Sequence, residues 1–256
     1  MIGTIMKRCI SALVLAMALF GLQQPPPLRA TQNFSVSPIG AINCRSGLTS
    51  WRTTGTLVGD QKTVLTVAHF DTFRRRNVDV AKDLRDCRFT LYDSYGVQSF
   101  SSRFELVQRG GSPQTRHLSN ATDWAVLTLD HSAPEAVTPL QVATSPDFPS
   151  RSEVMIVASS KSGRRANKNT RSCLAWPQAE RSIVLQHSCP TKGGWSGAPL
   201  LVRIDGELQA VGVHSGRLGN FGLAVGFNGR LGERLRAAIP RQSPRTLGTA
   251  TSFRSD

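Results

Sequence analysis

Short apolar runs, each only a few residues long and bounded by Gly, Pro, Asn, Asp or Ser, recur along most of the chain. In the first half they fall at residues 39–42, 55–58, 63–67, 88–91, 100–107 and 124–129. In the second they fall at 140–142, 154–158, 172–175, 183–186, 198–202, 210–214 and 223–227. Runs this short at this spacing read as strands of an antiparallel sandwich or barrel, not as alternating helices and strands. Six or so strands in each half predict an all-β chain of two barrels, joined by a proline-containing linker at residues 131–139. One helix is predicted, at residues 230–239: Leu231, Leu235 and Ala238 fall on one stripe, Asn228 can cap the start and Pro240 ends it. Residues 70–73 read as a short helical turn, 159–170 as an exposed basic loop and 242–256 as a mobile tail. The expected organisation is a first barrel over 31–130, the linker, and a second barrel with its terminal helix over 140–241.

One stretch does not serve strand formation alone: Thr191-Lys192-Gly193-Gly194-Trp195-Ser196-Gly197-Ala198-Pro199-Leu200. Glycines crowd a serine just before a buried apolar run, so the backbone can turn sharply and present N–H groups outward. A hydroxyl beside bare N–H donors suits acyl transfer. The attacked carbonyl becomes an oxyanion, and each aimed donor stabilises it by about 3–4 kcal/mol. Gly194 and Ser196 are the candidate donors. Gly-x-Ser-Gly also occurs in ordinary turns, so the reading needs a base and an orienting group. Upstream, residues 63–67 form a β-rich run leading to Ala68 and His69, and Asp123 opens the apolar run at 124–129.

The Ala-His after a strand, the Asp-x-Ala-x-Leu and the Gly-x-Ser-Gly-x-Pro, in that chain order, resemble the three catalytic blocks of the chymotrypsin/trypsin-like serine peptidases. The resemblance spans roughly residues 37–240. It implies a chymotrypsin-like fold of two antiparallel six-stranded β-barrels with a short C-terminal helix. It also implies a triad of His69 as general base, Asp123 as its orienting partner and Ser196 as nucleophile. Asp71 and Asp130 are fallbacks for the carboxylate, while His117, His131 and His187 sit in polar surroundings and read as surface.

Three departures from the family pattern carry information. Zymogen-activated members keep an aspartate immediately before the nucleophile to pair with a new N-terminus, and here that position is Trp195. Many relatives carry a cysteine after the catalytic histidine, and here Phe70 stands there. Arg/Lys-cutting members keep an aspartate six residues before the nucleophile, where this chain has Pro190. Thr191 and His214 together resemble the pocket of glutamyl endopeptidases, in which a hydroxyl and an imidazole receive a substrate carboxylate. Ser215 and Gly216 resemble the segment whose backbone pairs with extended substrate.

Composition adds the setting. The 256 residues are 39% hydrophobic with 22 glycines, which excludes a disordered chain. Residues 1–30 divide into a basic start with Lys7 and Arg8, an apolar run over 9–22 and a polar, proline-containing end. That is the pattern of a secretory signal peptide, too short for a comfortable bilayer span, so a secreted or periplasmic protein is expected. Without the leader, Cys44, Cys87, Cys173 and Cys189 remain and admit three connectivities. Cys44–Cys87 with Cys173–Cys189 is favoured, since each bridge then stays within one barrel. The second pair also matches bacterial relatives, in which a cysteine seven residues before the nucleophile pairs with one about fifteen further back. No Cys-x-x-Cys spacing supports zinc, and neither metal nor cofactor is expected.

The formal charge is +14, and +11 once Lys7, Arg8 and Arg29 are removed. Arg74 to Arg76, residues 161–171 and residues 230–241 carry much of it, which would attract anionic envelope surfaces or acidic substrates. No nucleic-acid module accompanies these residues, so nucleic acid is not an expected partner. The expected activity is a monomeric serine endopeptidase acting on polypeptide. The alternatives are a catalytically silent member binding peptides or the envelope, and a hydrolase of small esters.

Overall fold

The computed structural model describes residues 37–46, 48–71, 84–110, 120–143, 151–162, 165–179 and 182–239. The leader, Arg74 to Arg76 and the tail lie outside them. The first half of the described chain forms seven strands: β1 (Ile39–Ser46), β2 (Thr49–Leu57), β3 (Thr63–Thr66), β4 (Cys87–Tyr92), β5 (Gln98–Ser102), β6 (Phe104–Arg109) and β7 (Ala125–Leu129). They pair antiparallel in the order β5-β4-β1-β2-β3-β7-β6. The second half forms β8 (Gln141–Val142), β9 (Ser152–Ser162), β10 (Arg165–Pro177), β11 (Val184–His187), β12 (Pro199–Ile204), β13 (Glu207–Leu218) and β14 (Phe221–Gly226). Their order is β12-β9-β10-β11-β14-β13-β8, and β12 also pairs with β13.

That extra pairing closes six strands into a barrel, with β8 hung parallel on β13. The first sheet keeps two ends, at β5 and β6, and is a half-barrel. The two expected six-stranded barrels are thus one closed barrel and one open sheet of the same chymotrypsin-like architecture. The helix α1 (Gly229–Ala238) follows β14.

Burial follows position in the sheets. β3 lies between β2 and β7, and all four of its residues are buried, which explains why Thr63-Val64-Leu65-Thr66 lacks a polar face. One apolar cluster joins Ile42, Leu57, Leu65, Phe89 and Leu127 of the first sheet to Met155, Leu201 and Val213 of the second and to Leu235 of α1. A second cluster fills the closed barrel with Val154, Ile156, Leu185, Leu200 and Ala224, together with Trp195. Cys44 and Cys87 face each other in the β1–β4 ladder and are bridged; Cys173 of β10 is bridged to Cys189, just past β11. Among the described residues, no helix is long and apolar enough to cross a membrane.

The pattern misread three segments. Residues 100–107 are two strands, because the chain breaks at Arg103 and changes partner from β4 to β7. The Arg103 carbonyl at the break accepts from Ser102 Oγ (2.8 Å) and Asp130 N (3.1 Å). Residues 159–170 contain no long loop. The β9–β10 ladder runs unbroken from Ser152↔Ala175 to Ser162↔Arg165, so polar residues there extend a hairpin. Asn228 holds the N-cap position of α1, but its side chain makes no capping bond and donates instead to the Ser182 carbonyl, 3.3 Å away.

Candidate active site

The register of the first sheet brings His69 and Asp123 together. Thr66 of β3 pairs with Ala125 of β7, so the residues just after β3 and just before β7 emerge at one end of the sheet. His69 stands there in a 3-10 turn (Ala68–Asp71), and Asp123 follows a second one (Asn120–Thr122). Trp124, fully buried beside it, pins that approach. His69 Nδ1 lies 2.7 Å from Asp123 Oδ2, and the His69 backbone N–H donates to Asp123 Oδ1 at 2.9 Å. Ser215 Oγ also donates to Asp123 Oδ2.

Burial pushes the Asp123 pKa up. The bond from the His69 ring, the charge on that ring, the Ser215 hydroxyl and the His69 N–H together outweigh it and hold the carboxyl below its usual range. An ionised carboxylate only accepts, so Nδ1 is the donor, and a neutral His69 keeps its lone pair on Nε2.

Ser196 is held from both sheets. Its carbonyl accepts from Thr54 N of β2 (2.7 Å), and its Oγ lies 3.4 Å from the Ser215 carbonyl, which acts as acceptor. Ser215 therefore bonds to Asp123 through its hydroxyl and to Ser196 through its carbonyl. Thr54 Oγ1 donates to the Gly194 carbonyl (3.0 Å) and accepts from Ser159 N (3.3 Å), while Thr66 Oγ1 donates to the Thr54 carbonyl (2.8 Å). Gly197 N donates to the His214 carbonyl at 2.8 Å. At Gly197 φ is 85°, and a Cβ there would overlap the Thr54 carbonyl and Thr66 Oγ1, so the position requires glycine. Gly194 has φ 86°. Trp195 N closes the turn onto the Lys192 carbonyl, whereas the N–H groups of Gly194 and Ser196 have no partner among the described residues. Two bare donors on either side of a committed one are what an oxyanion would use.

Beyond this centre, Thr191 is buried and its Oγ1 has no partner among the described residues. His214 of β13 is also buried, with Nδ1 3.0 Å from Nε2 of His187. His187 corrects the sequence reading: it is fully buried, not on the surface. It faces Gly222 of β14, where a Cβ would overlap the imidazole. The signal was present, because alternation along β11 sets His187 on the face of Leu185, a core residue. Burial lowers the pKa of His187 to about 4. His214 is lowered to about 3, chiefly by burial and then by His187, against the raising effect of the Leu223 backbone.

Arg217, which no sequence signal singled out, donates through Nη1 to the Thr191 carbonyl at 3.4 Å. Gly216 lies at a break in the β13–β14 register, next to Ser215, with open space over its Cα. Cys173, His187 and Cys189 have ligand-type atoms within 4.8 Å of one another, but both sulfurs are committed to the disulfide, which leaves no thiolate for a metal.

A half-barrel and a closed barrel, with a histidine–aspartate pair at the end of one and a glycine-bounded serine loop leading into the other, define the chymotrypsin-like class of protein. Residues 53–213 match the trypsin-like peptidase domain, and the chain belongs to that family. It is accordingly a serine-type endopeptidase, a hydrolase of polypeptides. Similar solved structures include the thermostable serine protease AL20 from an extremophilic microorganism (14% identity, TM-score 0.54, covering 79% of this chain and 94% of that one). Others are a Glu endopeptidase in complex with MPD (17%, 0.58, 78% and 89%) and the protease Anisep from Arthrobacter nicotinovorans (14%, 0.56, 80% and 97%). At these identities the likeness is one of fold. No curated protein matches the chain in sequence.

Proposed function

We propose that His69, Asp123 and Ser196 form the catalytic triad of an exported endopeptidase that cleaves after acidic residues. The observation that carries the triad is the hydrogen-bonded path His69–Asp123–Ser215–Ser196, ending at a loop with two unpartnered N–H groups. Ser196 Oγ attacks the scissile carbonyl as His69 Nε2 takes its proton. The oxyanion that forms is received by the N–H groups of Gly194 and Ser196. His69 then returns the proton to the leaving amine, releasing it from the acyl-enzyme. A water, deprotonated by the same nitrogen, frees the second product and Ser196. Asp123, ionised throughout, stabilises the imidazolium and fixes its tautomer.

Support for an acidic preference comes from Thr191 Oγ1, an unpartnered hydroxyl, and from the histidine pair. His187 Nε2 and His214 Nδ1 share one proton, and His187 Nδ1 is buried with no partner among the described residues. A neutral His187 donating from Nε2 leaves only an acceptor unmet at Nδ1. His214, accepting at Nδ1, then carries its proton on Nε2, where the Leu223 carbonyl and an entering substrate carboxylate would be competing acceptors. The Arg217 guanidinium at the Thr191 carbonyl adds positive charge beside them. Support for export comes from the leader-like residues 1–30 and from two disulfides, which persist in oxidising compartments.

The test is labelling of the folded protein with a fluorophosphonate probe, wild type beside Ser196→Ala and His69→Ala, followed by a peptide-library cleavage profile. Labelling should require both residues, and cleavage should fall after glutamate or aspartate in a manner lost in His214→Ala. A folded wild type that takes no label overturns the triad. A profile without acidic preference overturns the pocket and leaves the triad standing.

A further inference from the structure

Four arginines from separate stretches of the first sheet meet around one concavity whose described lining includes none of His69, Asp123 and Ser196. Arg45 follows Cys44 on β1, Arg85 lies in the 3-10 turn (Leu84–Asp86) that leads into β4, Arg88 follows Cys87 on β4, and Arg103 is the break between β5 and β6. With Asp86 they line an open pocket of about 360 Å³. The β1–β4 register pairs Asn43 with Arg88 and Cys44 with Cys87, so one step further Arg45 comes beside Asp86. Cys44 and Cys87 are buried while Arg45, Asp86 and Arg88 are exposed, so the charges share the outward face, over a floor fixed by a disulfide. Asp86 is the one carboxylate among the described lining residues, which together carry a net charge of +3.

Surface arginines are commonly balanced by neighbouring carboxylates. Here, among the described residues, the guanidinium groups of Arg85, Arg88 and Arg103 make no ion pair or hydrogen bond with the protein. Like charges gathered within about a Debye length of 8 Å repel one another, and an anion seated among them removes that cost. A guanidinium offers paired N–H groups in a planar fork that matches the oxygens of a phosphate, and several forks around one cavity suit adjacent phosphates better than a single carboxylate. The volume lies near the small end of ligand pockets, of roughly 300–1,000 Å³, which fits a compact group and not a folded partner.

We propose that this pocket binds a diphosphate-type group, with Arg85, Arg88 and Arg103 as its bidentate ligands and Arg45 completing the ring of charge. The proposal is independent of the triad and of the acidic preference, because none of those residues lines the pocket.

Titration calorimetry of the full chain with inorganic pyrophosphate, at low and at physiological salt, tests it. Orthophosphate, citrate and a sulfated disaccharide serve as comparison arms. Pyrophosphate should bind at least tenfold more tightly than citrate or the sulfated disaccharide, and more tightly than orthophosphate. Arg88→Gln with Arg103→Gln should weaken it at least tenfold. Arg203→Gln with Arg234→Gln, which removes the same charge elsewhere on the exposed surface, should weaken it less than twofold. Equal losses in the two double variants would reduce the effect to net charge and overturn the proposal, as would no saturable pyrophosphate binding below millimolar concentration. Tightest binding in the sulfate or citrate arm overturns the diphosphate assignment. Should the glutamine pair not fold, Arg88→Lys with Arg103→Lys keeps the charge but loses the fork. It should still bind at least threefold more weakly, and unchanged binding overturns the proposal.

Discussion

Thr54 links the first sheet to the Ser196 loop of the second, and its removal gives a sharp test of how that loop is held. Thr54→Val keeps the volume and the β-branched shape of a fully buried residue. Its backbone bonds, from N to the Ser196 carbonyl and from Thr66 Oγ1 to its own carbonyl, do not depend on the side chain and persist. Two bonds are lost, leaving the Gly194 carbonyl without its donor and Ser159 N without its acceptor. An unmet buried group costs about 1–3 kcal/mol, so the pair should cost about 3 kcal/mol. For a chain of this size that corresponds to a fall in Tm of roughly 6–12 °C.

Activity should fall separately from stability. Gly194, at φ 86°, is free to rotate once its carbonyl is released, and its N–H is one of the two proposed oxyanion donors. Complete loss of one donor lowers kcat by about 10²–10³, and misaiming it should lower kcat by about 10 to 100-fold with KM little changed. Thr54→Ser restores the hydroxyl without the methyl. It should recover kcat to within about threefold while remaining about 1 kcal/mol less stable than wild type. The assay is steady-state hydrolysis of a peptide ester and a peptide amide well below either variant's Tm, beside thermal unfolding. Equal kcat in the folded Val and Ser variants would refute a positioning role for Thr54 and leave it a packing residue.

The buried histidine pair makes stability depend on pH. His187 and His214 have folded pKa values of about 4 and about 3, against an ordinary value near 6.5, so between these limits the unfolded chain binds more protons. Their neutral burial should contribute fully above pH 6.5. It should be lost as pH falls toward 4, by about 1 kcal/mol per pH unit for each, and denaturant unfolding at pH 7, 6 and 5 should show a shallower slope in His187→Gln. Gly197→Ala should abolish fluorophosphonate labelling and lower Tm, since a left-handed backbone costs an L-residue about 1–2 kcal/mol even before the overlap with Thr54 and Thr66. Arg217→Ala should lower kcat/KM for glutamyl substrates by about tenfold, an effect that shrinks with added salt, while leaving the rate of fluorophosphonate labelling unchanged. Equal losses on neutral and glutamyl substrates would remove Arg217 from specificity.

Residues whose environment follows from local pattern were legible in the sequence. Val64, Leu65 and Leu127 declared β3 and β7 by composition, and the antiparallel pairing of those strands is what brings His69 beside Asp123. His187 was misread because Gln186 and Ser188 flank it with polarity, although the alternation of its strand pointed inward. Thr54 was invisible for a deeper reason. Its bonds reach Gly194, Ser159, Ser196 and Thr66, residues far apart in the chain, and nothing in Thr53-Thr54-Gly55 distinguishes it from an ordinary strand threonine. The hydroxyl of Ser215 escaped for the same reason, since its bond to Asp123 exists only once both sheets are formed.

Trp195 shows how a departure from family pattern is accommodated physically. An aspartate at this position in zymogen-activated relatives steadies the nucleophile loop through an ion pair. Here an indole inserts into the second apolar cluster beside Ile156, Leu185 and Leu200, with 2% of its surface exposed. Burying some 150–250 Å² at about 25 cal/mol per Å² contributes roughly 4–6 kcal/mol. Its Nε1–H has no partner among the described residues, which costs about 1–3 kcal/mol, so the balance still favours burial. The loop is therefore held from below by an apolar anchor in the closed barrel and from the side by Thr54 of the half-barrel, with no charge at that position. Loop order anchored this way should be insensitive to salt and to the protonation of a terminal amine, whereas an ion pair would respond to both.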